Sequence, residues 1–330
     1  MFSKNIKFKN FTNKKNLKIK KILRNIIRDK FLLKKYPFLK SLSKNFEYSY
    51  KKKNIKLLKS YSKVNLVGMG GSILGAETIY SFLKHKIKKK FFFYNNLKCE
   101  SIPKNNERNI NLIISKSGNT LETVSNFNLL LQKQKKNKNL ILCEKKNNFL
   151  SLLAKKLKAE IFEHKNYIGG RYSVLSETGM LPVELMGLNE KKFKRYDYLI
   201  KNKYFINSLI QNVISIINHV KKGKTNSVIL NYDEKSDNFF KWYQQLTAES
   251  LGKNGTGIFP IVSTMPKDNH SLLQLYLDGP KNNFYTFFSV KENKSQKLSN
   301  SNLFGKFSIL KNKNIYKVLN SQKNSYRKSI

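Results

Sequence analysis

Two loops in this 330-residue chain carry residues suited to hold an anion. The first is GMGGSILG, residues 68–75, which follows an apolar run ending at Val67 and opens a helical pattern. Its glycines let backbone N–H groups approach a ligand. Gly71 and Ser72 fall where a helix start presents unpaired donors and a partial positive charge. The same stretch also suits a plain strand-to-helix turn, and it lacks the full spacing of a dinucleotide fingerprint or a Walker A loop. The second loop is SKSGNTLET, residues 115–123, with Ser115, Lys116, Ser117 and Thr120 gathered around Gly118. Hydroxyls beside helix N–H groups make a phosphate cradle. The same hydroxyls are also good helix caps. Loops of this kind at the carboxyl ends of parallel strands open on one crevice.

Two further segments add reactive groups. GGRYS, residues 169–173, contains Arg171, an arginine in a chain that otherwise relies on lysine. WYQQLTAESLGKNGTG, residues 242–257, sets Gln245 and Glu249 four apart, hence on one helix face. Glu249 is a candidate base, or else the partner of Lys253 in a surface ion pair. His270 lies in a polar stretch ahead of an apolar run, whereas His85, His164 and His219 sit singly at element ends. A lone histidine is more often structural than catalytic.

The elements that must position these groups are legible in the hydrophobic pattern. Short apolar runs, VNLVGM, KKFFFYNN, INLIISKS, KNLILCEK and AEIFEH, alternate with helical patterns at 73–86, 121–134 and 147–158. That order predicts a parallel sheet with helices on both faces. Helices at 173–187, 203–222 and 236–251, with strands near SVILNY and FYTFFSV, read as a second α/β unit. Residues 1–60 mix lysine and asparagine with Ile22, Leu23, Ile26, Ile27, Phe31 and Leu32 at helical spacing and read as a helical arm. The expected division is therefore 1–60, 61–165 and 166–330.

Composition bounds the partners. Sixty-five Lys and Arg against 20 Asp and Glu give a formal charge of +45, which on its own would point to nucleic acid. Only six of these are arginines, and lysine lacks the planar fork that reads phosphates and bases bidentately. The joint excess of Lys, Asn and Ile is what an AT-rich coding sequence imposes on tolerant positions, so no nucleic-acid partner is expected. Cys99 and Cys143, both in apolar strand patterns, fit buried thiols in a reducing compartment. The basic start has no uninterrupted apolar core, and no run approaches the roughly 20 apolar residues of a membrane span. A soluble, cytoplasmic chain with no membrane partner is the expectation.

Taken in order, the GGS loop, the SKS loop, GGRYS, AESLGK and the later histidine closely resemble the glucose-6-phosphate isomerases, across about 60–290 and including the long run GGRYSVLSETGMLPVE. The resemblance implies two sugar-isomerase (SIS) domains, each a parallel sheet flanked by helices. It implies that Ser115, Lys116, Ser117 and Thr120 bind a sugar phosphate, Lys116 mainly through its backbone, with Gly71 and Ser72 lining the same pocket. It makes Glu249 the base that moves a proton between C2 and C1 through a cis-enediol, Arg171 the stabiliser of the enediolate, Gln245 a substrate contact and His270 the residue that helps open the sugar ring. It implies a homodimer in which His270 reaches the neighbouring subunit's site, and calls for no cofactor or metal. A VELGK-like segment, whose lysine assists ring opening in the family, does not occur here. Lys323 and Lys328 do not sit in the matching motif, so the second domain is expected to be shortened at its C-terminal end. Other readings are an isomerase of another phosphosugar and a non-catalytic phosphosugar-binding protein. AESLGK with the downstream histidine favours the glucose enzyme.

Overall fold

The computed structural model describes residues 17–29, 32–97, 102, 108–292, 294–299 and 307–329. Cys99, Phe31 and residues 1–16 of the expected arm lie outside them. The contacts divide the chain into two compact units, residues 1–217 and 218–330.

The first unit is built on five strands, β1 (Lys63–Val67), β2 (Lys90–Tyr94), β3 (Ile110–Ile114), β4 (Lys138–Cys143) and β5 (Glu160–Glu163). They are all parallel, in the order β2-β1-β3-β4-β5. Every residue of β3 is buried, which explains why the central runs read as continuous apolar stretches. The pleat sorts them. Leu66, Leu112, Leu140 and Leu142 pack on one face with residues of the helices α2 (Leu74–Leu83) and α5 (Glu177–Leu185). Val67, Ile113, Ile141 and Cys143 pack on the other with residues of α3 (Leu121–Lys133) and α4 (Phe149–Leu157). Helix α1 (Leu17–Arg28) precedes this sheet and α6 (Lys203–Val220) follows it.

The sheet also carries a polar row that runs against its apolar character. Asn65, Asn111 and Asn139 stand opposite one another on β1, β3 and β4. Asn65 Nδ2 donates to Asn111 Oδ1 at 2.8 Å, and Asn111 Nδ2 donates to Asn139 Oδ1 at 2.9 Å. Gln134 and Asn137 close the network with bonds of 2.8–2.9 Å. Buried amides cost little when each donor and acceptor is met, and such a ladder also pins the register.

The contacts group the residues differently from the division read in the sequence. The break read near 165 is not where the contacts part. Met180, Leu181, Val183 and Leu185 of α5 belong to the first unit's core, so the division falls within α6. Nor do residues 1–60 form a separate arm throughout. Tyr50, Ile55 and Leu58 are buried in that same core, Ser49 N–H donates to Glu177 Oε1 at 3.0 Å, and Phe38 stacks on Tyr172 with centroids 4.1 Å apart. Aromatic side chains too large to leave in water draw this segment onto the sheet.

The second unit holds a three-stranded parallel sheet, β7 (Phe259–Thr264), β6 (Asn226–Asn231) and β8 (Asn283–Phe288) in that spatial order. Its helices are α7 (Asp237–Leu251), α8 (Asn269–Asp278) and α9 (Ile315–Ser329). The run NSQKNSYRKSI lies almost wholly in α9. Leu319 and Tyr326, seven apart on one face, pack with Phe287, whose ring meets Tyr326 edge-on at 6.0 Å. That contact holds a helix that local composition would not. No helix among the described residues is long and apolar enough to cross a membrane.

Candidate active site

In the first unit the strand order reverses between β1 and β3, and open α/β sheets bind ligands outside the carboxyl ends of the strands at such a point. The two loops singled out by sequence leave the sheet there. After β1 the chain makes a 3-10 turn, Gly70–Ser72, before α2 begins. Ser72 N–H donates within that turn to Met69 O at 3.1 Å, so Ser72 would meet a ligand through its hydroxyl. Gly71 is pressed against a third segment. A Cβ built there would stand 2.2 Å from the Gly170 carbonyl oxygen, closer than any side chain tolerates. Ser173 Oγ seals the same contact, donating to Gly170 O at 2.7 Å and to Gly71 O at 3.3 Å. The GGS and GGRYS segments, about a hundred residues apart in sequence, are thus one surface.

The loop after β3 is ordered by its own hydroxyls. Ser115 is buried, and its Oγ lies 2.8 Å from Thr120 Oγ1 and accepts from Gly118 N at 3.2 Å. Ser117 is exposed, and its Oγ accepts from Asn119 N at 3.2 Å. The capping expected of Thr120 does not occur: it stands at the N-cap of α3, but its hydroxyl bonds to Ser115 rather than to the helix. The α3 start therefore keeps its positive end uncapped by that side chain, as an anion site requires. Lys116 turns its ammonium away from this role. Nζ donates to Asn166 O at 2.8 Å and sits 3.5 Å from Glu144 Oε1, tying the loop to the segment that leads into GGRYS. Glu144 also pairs with Lys146 at 2.5 Å, and that bond, aided by Lys116, holds its carboxylate below the usual range. Arg171 is half-buried with its guanidinium 4.5 Å from the centroid of Tyr172, the ring that stacks on Phe38.

The remaining candidates belong to the second unit. Gln245 Nε2 donates to Glu249 Oε1 at 2.7 Å across one turn of α7, as their spacing predicts, and the Glu249 side chain is exposed. His270 stands in the first turn of α8, also exposed. Residues not singled out by sequence include Tyr172, the platform beneath Arg171, and Asn148, which heads α4 and touches the Ser115–Thr120 loop. An Asn followed three residues later by a hydroxyl residue, Ser151, was the available signal for a helix start there.

Residues 37–264 match the family model described as phosphoglucose isomerase. The chain belongs to that family. It is 37% identical over 250 residues to a glucose-6-phosphate isomerase of Methanocaldococcus jannaschii, covering 72% of this chain and 62% of that one. It is 31% identical over 285 residues to a glucose-6-phosphate isomerase of Campylobacter jejuni, covering 80% and 70%. The chain thus spans less than two thirds of the Methanocaldococcus relative's length. Among solved structures, a hypothetical protein of Thermus thermophilus superposes with a TM-score of 0.72 at 18% identity, over 96% of this chain and 77% of that one. A glucose-6-phosphate isomerase of Chlamydia trachomatis gives 0.58 at 18% identity, over 81% and 57%. At such identities these two likenesses speak for the fold alone. The α/β reading with helix-flanked parallel sheets agrees with them.

Proposed function

We propose that this phosphoglucose isomerase family member interconverts glucose 6-phosphate and fructose 6-phosphate, an aldose–ketose isomerisation through a cis-enediol. The observation that carries the reading is the pair of glycine- and hydroxyl-bearing loops at the reversal point between β1 and β3, inside the stretch matched by the family model.

In this reading the phosphoryl group rests on Ser117 and Thr120 at the start of α3, with Ser115 ordering the loop, Lys116 contributing backbone, and Gly71 and Ser72 closing the pocket. Glu249 takes the proton from one carbon and returns it to the other, which a carboxylate does well only when held close to the carbon. Gln245, bonded to Glu249, fixes the carboxylate's orientation and contacts substrate. Arg171 faces the enediolate oxygen, where its charge counts most in the transition state. His270 assists ring opening from the neighbouring copy of a homodimer. Proton transfer of this kind calls for no cofactor. The substrate partner is a phosphosugar, and the setting is cytoplasmic sugar metabolism in glycolysis and gluconeogenesis.

The test is a coupled assay in which glucose 6-phosphate formed from fructose 6-phosphate is oxidised by its dehydrogenase. Sustained NADPH production by the purified chain supports the proposal. Tight binding of 6-phosphogluconate with no turnover would replace it with a phosphosugar-binding role.

A further inference from the structure

We infer that Asn148 is the positioning residue of the Ser115–Thr120 loop, a role that rests on the sugar-phosphate reading of that loop. Asn148 is buried and uses both ends of its amide. Oδ1 accepts from Ser151 N at 2.9 Å, while Nδ2 donates to Glu144 O at 3.2 Å and to Lys146 O at 3.0 Å. Its own N–H donates to Ser151 Oγ at 3.0 Å. One side chain thereby sets the shape of the whole turn between β4 and α4.

That turn grips the loop. Glu144 N donates to Lys116 O at 3.0 Å, Leu150 N donates to Gly118 O at 3.0 Å, and Phe149 N donates to Asn119 Oδ1 at 2.9 Å. Gly118 lies in the left-handed region, with φ +69°, and a Cβ there would stand 2.0 Å from Asn148 Oδ1. Only glycine lets the loop lie flat against this amide. The loop's hydroxyls gain from such bracing because an anion then meets donors already in place, with no ordering left to do on binding. Removing the amide frees the two carbonyls that shape the turn, and the grip on residues 116–119 slackens with it.

Asn148 also caps α4, so the decisive variant is one that keeps a cap and loses the brace. Asn148→Ser retains a hydroxyl able to accept from the α4 start but cannot span to both carbonyls and Gly118. The expected result is a melting temperature near that of wild type, an affinity for 6-phosphogluconate about tenfold weaker by calorimetry, and a KM for fructose 6-phosphate that rises more than kcat falls. Asn148→Asp, which also caps but lacks the two donors, should agree. Wild-type affinity in a folded Ser or Asp variant would overturn the inference and leave Asn148 as a cap only. So would an affinity loss no larger than the fraction of unfolded protein accounts for. Wild-type chain that fails to bind 6-phosphogluconate would instead defeat the sugar-phosphate reading, and the inference with it.

Discussion

Gln245 and Glu249 are joined by a 2.7 Å hydrogen bond along one face of α7, and the amide's N–H is the donor. A carboxylate held in this way keeps a fixed orientation on the helix face, as proton transfer at carbon requires. Glu249→Gln keeps the shape and an acceptor for Gln245 while abolishing basicity. Its kcat should fall about 10²- to 10⁴-fold, with 6-phosphogluconate bound nearly as before. Turnover at the wild-type rate would remove Glu249 from the mechanism.

Ser117→Ala with Thr120→Ala should act on binding instead. Thr120 does not cap α3, so the double variant loses no helix cap; it loses the Thr120–Ser115 bond, about 1 kcal/mol, and should melt slightly below wild type. It should bind 6-phosphogluconate about tenfold more weakly or worse, as the loss of two donors to a charged group implies. Titration calorimetry showing unchanged affinity would refute the cradle.

His164 makes stability depend on pH. It is buried just after β5, its Nδ1 donates to Lys165 O at 3.2 Å, and its Nε2 has no partner among the described residues. Burial pushes the imidazole down from 6.5 to about 4, opposed by its backbone bond and by Glu144 and helped by Lys116. The unfolded chain therefore takes up a proton between these values that the folded chain refuses. The contribution is fully present above the unfolded value and drains away as pH falls toward the folded one, to a total of about 3 kcal/mol. His164→Gln should show a smaller loss of unfolding free energy between neutral and mildly acidic buffer than wild type. Parallel urea curves for the two proteins at each pH decide it.

Asn111 sits at the centre of the asparagine ladder, fully buried between Asn65 and Asn139. Asn111→Ala takes one of two acceptors from Asn65 Nδ2 and from Asn137 Nδ2, leaving each with Gln134 Oε1 alone, and removes the donor to Asn139 Oδ1. The chain should lose about 2–3 kcal/mol in denaturant unfolding, more than an exposed Asn→Ala costs. A loss indistinguishable from a surface substitution would mean that water replaces the amide.

Much of the first unit was legible because its signals are local. The strands read as INLIISKS and KNLILCEK begin within a residue of Ile110 and Lys138, and the helix read at 121–134 ends one residue late. Buried strands and capped helices announce themselves through the residues they contain. The spacing of Gln245 and Glu249 likewise predicted their contact, since four residues of helix leave little choice. Strand β7 and helix α8 lie outside the elements that the hydrophobic pattern predicts. Pro260 and the glycines before it look like loop, and β7 tolerates the proline because it is an edge strand.

What only the tertiary structure decided is which partner each polar group takes. Thr120 by sequence is a helix cap. In the fold its hydroxyl meets Ser115, because the loop closes on itself after β3. The asparagines of VNLV, INLI and KNLI look like surface composition. They become a buried ladder because parallel register sets Asn65, Asn111 and Asn139 side by side. Gly71 reads as a flexible turn residue, and its real constraint is the Gly170 carbonyl. Local sequence encodes the periodicity of backbone hydrogen bonds, and so the elements. A side chain's partner depends on which donor or acceptor packing brings within about 3 Å, and that is settled by residues far away in the chain.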